Sequence, residues 1–117
     1  MRNAAAFAVL IAACAASGIP GTYEAVQPAA SGGGERHIRV TLRPDGFAAV
    51  SSAFSGRPSR FLAEGAWQSA GSEITVNLGG ERPARMVFRR AGDQLIGREW
   101  DPSVWGEKGP GVLYRVR

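Results

Sequence analysis

Between residues 37 and 43 the chain alternates without a break. Ile38, Val40 and Leu42 fall on one side; His37, Arg39, Thr41 and Arg43 fall on the other. Successive side chains of a strand leave on opposite faces, so a period of two with one apolar face specifies a half-buried β-strand. The signature recurs along the chain. Residues 21–26 open the series, 47–54 follow, and 73–78 form a second clean alternation. In 61–68, Phe61, Ala63, Gly65 and Trp67 share a face; in 84–90, Met86 and Phe88 stand together with Arg85, Val87 and Arg89 opposite. Residues 94–100 come next, and Val112, Tyr114 and Val116 share a face of the last strand.

Turn chemistry separates these runs. Pro44-Asp45-Gly46, Ala70-Gly71-Ser72 and Ala91-Gly92-Asp93 are turn signals, because proline presets φ and glycine accepts φ > 0. Longer breaks fall at 31–34, 56–59 and 79–83. About eight strands at roughly 8–12-residue spacing predict an all-β sandwich or barrel. No helical period appears after the N-terminal segment. Consecutive hairpins favour an antiparallel up-and-down meander, and closing it into a small barrel removes the exposed edges. A two-sheet sandwich is the alternative. No internal repeat is visible.

The N-terminus carries a different signal. Arg2 precedes an apolar run over 4–13 that is far shorter than the about 20 residues a spanning helix needs. The run ends in Leu10-Ile11-Ala12-Ala13-Cys14, which reads as the lipobox of a bacterial lipoprotein. Residues 1–13 are then a removed signal peptide, Cys14 carries lipid, 14–20 form a short tether, and 21–117 form one domain. An ordinary cleavage at Ala13-Cys14-Ala15 is the rival reading and would discard the thiol. Each buried methylene contributes about 0.8 kcal/mol, so acyl chains on Cys14 make a durable membrane anchor. Ala15 follows the cysteine; by resemblance to other lipoproteins, the absence of aspartate there favours the outer membrane.

Cys14 is the only cysteine, so no intramolecular disulfide is available. Fourteen Lys+Arg stand against ten Asp+Glu, a formal charge of +4 that falls to +3 without Arg2. That mild excess fits solvated strand faces, with anionic lipid or lipopolysaccharide phosphate as a weaker reading. Nucleic acid is not an expected partner in an envelope compartment.

The order of short motifs resembles a known family. Gly21-Thr22-Tyr23, Pro28 before a small-residue loop, and Ile38-x-Val40-Thr41-Leu42-x-Pro44-Asp45-Gly46 look like the N-terminal domain of the copper-homeostasis lipoprotein NlpE family. The likeness continues through Phe61-x-x-Glu64-Gly65-x-Trp67, Ile74-Thr75-Val76-x-Leu78 and Gly92-Asp93-Gln94-Leu95, covering residues 21–97. The resemblance implies a small lipocalin-like β-barrel on an outer-membrane lipoprotein, linked to surface sensing, envelope stress and copper handling. It also shows a departure. The family's Pro-Cys-x-x-Cys segment corresponds to Pro28-Ala29-Ala30-Ser31-Gly32, with one extra residue before Ile38. Paired thiolates can chelate a soft metal or be oxidised; Ala29 and Gly32 can do neither.

No constellation of catalytic type is expected. His37, on a polar face beside Arg39, reads as a surface histidine, and Met86, alternating with Phe88, as core. Ser51, Ser52 and Ser55 have no identifiable base. Glu64 and Glu99 are paired carboxylates only in a loose sense, and a salt bridge to arginine accounts for either. No metal, cofactor or enzymatic activity is expected.

The candidate partner-binding residues lie in two loops. Trp100 and Trp105 bracket a Pro/Gly-rich stretch, 100–110, that either folds back to plug the barrel end or offers its indoles to a protein. Ser31 and Gly33 form a second candidate rim. The expected function is non-enzymatic contact with an envelope protein. A carrier of small hydrophobic ligands, or an inhibitor of an envelope hydrolase such as lysozyme, is the alternative. A barrel this small fills largely with side chains.

Overall fold

A computed structural model describes residues 18–28, 34–56, 60–80 and 83–116. They form eight strands: β1 (Gly21–Pro28), β2 (Glu35–Leu42), β3 (Phe47–Phe54), β4 (Arg60–Ala70), β5 (Glu73–Leu78), β6 (Ala84–Ala91), β7 (Gln94–Glu99) and β8 (Val112–Arg115). Each pairs antiparallel with the next, and β8 returns to β1, so the meander is a closed barrel rather than a sandwich. The seam is short: Tyr23 pairs with Arg115 and Glu24 with Tyr114, and the Val116 amide donates to the Thr22 carbonyl at 2.8 Å.

The alternation read from sequence sets the core. Ile38, Val40 and Leu42 of β2, Ile74 and Val76 of β5, and Met86 and Phe88 of β6 are all buried inside. Tyr23, Leu95 and Leu113 are fully buried beside them. Large interlocked side chains therefore occupy the interior. The outer wall carries ion pairs such as Arg39–Glu24 at 2.6 Å and Arg85–Glu99 at 3.0 Å.

Two strands differ from the expected pattern. The face shared by Val112, Tyr114 and Val116 is the outer one: Leu113 is fully buried, whereas Tyr114 and Val116 are exposed. Leu113 joins the core because it sits opposite Leu95 across the β7–β8 ladder. Val87, expected outside with Arg85 and Arg89, is buried without joining the interior cluster. The register shifts there, with Val87 opposite Glu99 and Phe88 opposite Gly97, so Arg98 is an extra residue that bends the pair.

An up-and-down barrel has two distinct ends. The turns β2–β3, β4–β5 and β6–β7 lie at one end, together with the segment Gly18–Pro20 that enters β1. The longer connections β1–β2, β3–β4, β5–β6 and β7–β8 lie at the other, the loop end. At the first end Pro44-Asp45-Gly46 makes its expected turn, with the Gly46 amide donating to the Arg43 carbonyl at 3.0 Å.

The β5 backbone presses close to Gly65 in β4. A Cβ on Gly65 would lie 1.9 Å from the Asn77 carbonyl oxygen and 2.9 Å from the Leu78 Cα. Because those atoms are backbone, neither can step aside without moving a ladder. Gly65→Ala is expected to lower unfolding stability by about 3 kcal/mol, at the upper end of overpacking costs. Chemical denaturation of the two proteins measures this directly.

Candidate functional site

The loop end is closed by the β7–β8 connection. Within it a single helical turn, α1 (Pro102–Trp105), starts at Asp101. The Asp101 carboxylate accepts from the Ser103 amide at 2.9 Å and from the Ser103 hydroxyl at 2.7 Å. Pro102 occupies the first turn, where a missing N–H loses no hydrogen bond. No helix is expected from the periodicity, because one turn is too short to show a period.

The turn delivers Trp105 into the barrel mouth. Its side chain is buried and meets Phe61 edge-to-face, with ring centroids 5.7 Å apart. Arg36 locks it there. The Arg36 guanidinium donates to the carbonyls of Trp105 at 2.8 Å and Val104 at 3.1 Å, and to the Ser52 hydroxyl at 2.9 Å. It also lies 4.9 Å from the centre of the Trp105 ring and 5.7 Å from that of Phe54. Burial lowers the Arg36 pKa from its ordinary value.

Trp100 holds the return of the loop. It is half-buried, and its indole N–H donates to the Gly106 carbonyl at 2.9 Å. Gly109 has φ +66°, and a Cβ there would lie 2.3 Å from the Trp100 ring, so only glycine fits beneath the indole. Gln27 then donates to the Pro110 carbonyl at 2.7 Å, fastening the loop to β1. Both tryptophans are thus built into a plug. The side chains that the plug presents to solvent are Pro102, Ser103, Glu107 and Lys108.

The opposite end is sealed by the N-terminal segment. Ile19 is 3% exposed and belongs to the core cluster. The tether expected to run to residue 20 is therefore packed from Gly18 onward. Arg115 binds it: the guanidinium donates to the carbonyls of Gly18 and of Pro20, the latter at 2.7 Å. It donates as well to the Tyr23 hydroxyl at 2.7 Å and the Asp93 carboxylate at 3.0 Å. The Tyr23 hydroxyl donates in turn to the Ile19 carbonyl, and Arg90 donates to the Gly18 carbonyl at 3.2 Å. Burial raises the Tyr23 pKa above its ordinary 10.0, opposed in part by Arg115.

The remaining sequence candidates are dispersed. Cys14, Ser31 and Gly33, with Ala29 and Gly32, lie outside the described residues. His37 is exposed on β2, 3.6 Å from Glu35. Met86 is fully buried. Ser52 is held by Arg36, and Ser55 bonds to the Glu35 backbone. Glu64 and Glu99 lie on β4 and β7, with two strands between them, and Glu99 pairs with Arg85. Among the described residues no group of three or more His, Cys, Asp or Glu is placed to hold a metal. No helix among them is long and apolar enough to cross a membrane. A polar cleft of about 390 Å³ lies on the outer wall between Gln68, Glu73, Asn77 and Arg85.

Arg36, Arg115 and Tyr23, which organise both ends, were not singled out from the sequence. A signal existed for one of them: carrying the β2 alternation one step back puts Arg36 on the face of Ile38.

Fold and ends together define a closed eight-stranded meander barrel, filled inside, plugged at the loop end and sealed at the other by its own N-terminal segment. The chain matches no family model, no curated protein and no solved structure.

Arg36→Ala and Tyr23→Phe probe these ends, and Arg39→Ala on the outer wall is the control. Arg36→Ala leaves the Val104 and Trp105 carbonyls without their donor and is expected to lower stability by about 2–4 kcal/mol and red-shift the tryptophan emission. Arg39→Ala, which removes an exposed pair, is expected to lower it by less than about 1 kcal/mol. Tyr23→Phe is expected to lower stability by about 1–2 kcal/mol at neutral pH. A raised folded-state pKa means the Tyr23 contribution is complete below pH 10.0 and is lost as pH rises through the folded value. The gap between wild type and Tyr23→Phe in a pH series of denaturation curves should therefore close in alkali.

Proposed function

We propose that the chain is a lipid-anchored outer-membrane lipoprotein that acts without catalysis, by protein contact in envelope sensing, stress response or homeostasis, as the NlpE family it resembles does. The observation that carries this reading is the opposition of its two ends. Gly18–Pro20 is clamped at one end and the tryptophan-braced plug closes the other. A lipid on Cys14, four residues before Gly18, would tie the clamped end to the membrane and leave the plug at the far end. Trp100 and Trp105 then act as internal braces for a contact surface made by Ser103, Glu107, Lys108 and the neighbouring loops.

A thiol-based copper role is not part of the proposal, because Ala29 and Gly32 stand at the family's cysteine positions. A carrier of hydrophobic ligands is disfavoured by an interior occupied by Tyr23, Met86, Phe88 and Leu95.

The test is made on the chain expressed in a two-membrane bacterium. Intact mass is expected to show loss of residues 1–13 and acylation of Cys14, and Cys14→Ser is expected to leave the membrane fraction. Crosslinking of the anchored protein is expected to capture an envelope protein, with capture lost in the Glu107→Lys, Lys108→Glu double variant. A wild-type chain recovered without lipid contradicts the anchor. A lipidated chain whose crosslinks ignore the charge reversal contradicts the contact surface.

A further inference from the structure

The outer wall beside the clamped end breaks the barrel's polar exterior. Tyr114 of β8 is 56% exposed and Val116, just beyond it, is 45% exposed. Both lie near the end where Gly18 enters. Tyr114 stands opposite Gln94, the first residue of β7, and the Val116 amide binds the Thr22 carbonyl near the start of β1. Arg115, between them, turns inward and holds Gly18 and Pro20. One short segment thus fixes the chain's entry point with one side chain and displays two apolar side chains beside it.

We infer that Tyr114 and Val116 form a docking edge that rests in the headgroup region of the phospholipid bilayer. The inference rests on the anchored reading above and adds an orientation to it. Four peptide links separate Cys14 from Gly18, so an extended chain reaches at most about 14 Å. Gly18 is not a loose end: its carbonyl accepts from Arg90 and Arg115. The clamped end of the barrel is therefore kept within that reach of the membrane surface. Tyrosine favours the membrane–water boundary, where its ring is shielded and its hydroxyl stays hydrated.

Leu62 supplies an internal comparison. It is 63% exposed, yet it lies on β4, across the barrel from β8 and towards the loop end. A general stickiness of exposed apolar side chains treats Leu62 and Tyr114 alike. Docking by the clamped edge separates them.

The experiment uses the lipidated full-length protein in vesicles of phosphatidylethanolamine and phosphatidylglycerol. Cys14 is acylated there, so a thiol-directed, environment-sensitive fluorophore reports only on an added cysteine. Tyr114→Cys, Val116→Cys, Leu62→Cys and Glu107→Cys are labelled separately. Labels at 114 and 116 are expected to shift to the blue, to lose iodide quenching and to be quenched by nitroxide lipids. Labels at 62 and 107 are expected to behave as in water. Equal behaviour at all four positions in a protein whose mass confirms acylation overturns the docking edge and leaves the anchor intact. A protein that carries no lipid on Cys14 overturns both.

Discussion

Arg115 holds the barrel shut. The closing ladder between β1 and β8 is short, because β8 spans only Val112–Arg115. A seam of that length leaves little backbone pairing to resist opening. The Arg115 side chain reinforces it by joining β1 through Tyr23, the β6–β7 turn through Asp93, and the N-terminal segment through Gly18 and Pro20. Each contact is a charge-assisted hydrogen bond, stronger than its neutral counterpart. Ile19 can cover that end of the core because its neighbours on both sides are held by this one guanidinium.

The same device recurs at the loop end. Arg36 satisfies two carbonyls of the plug and one buried hydroxyl while stacking on Trp105. Both arginines sit where an inward-facing strand position reaches the rim. Guanidinium suits that place: it has a planar array of donors for several carbonyls at once and remains charged when partly desolvated. A barrel without disulfides can thus be sealed at two ends by hydrogen bonds to its own backbone. Sealing also gives the molecule polarity, with a rigid entry point for the chain at one end and a rigid, tryptophan-braced loop at the other.

The wall of the barrel was legible because a two-sided strand writes its environment into every second residue. β2 and β5 could be read almost to their ends, and Pro44-Asp45-Gly46 marked its own turn. β8 was legible as a strand, but Val112, Tyr114 and Val116 outnumber Leu113 in apolar side chains, so composition alone does not reveal that the inner face is that of Leu113. The bulge at Val87 left no sequence signal, since one extra residue in β7 changes register without changing composition. The plug was legible as two tryptophans in need of burial. Its lock was not, because Arg36 and Trp105 meet only when β2 and the β7–β8 connection share one rim.

The claim that two arginine clamps close an otherwise weakly seamed barrel is tested most directly by native-state amide hydrogen exchange on wild type and Arg115→Leu. The account predicts that protection falls first and furthest along the seam, at the Val116 amide that donates to the Thr22 carbonyl, while the β2–β5 ladders keep protection close to wild type. Uniform loss across all eight strands, or a seam as protected in the variant as in wild type, contradicts it.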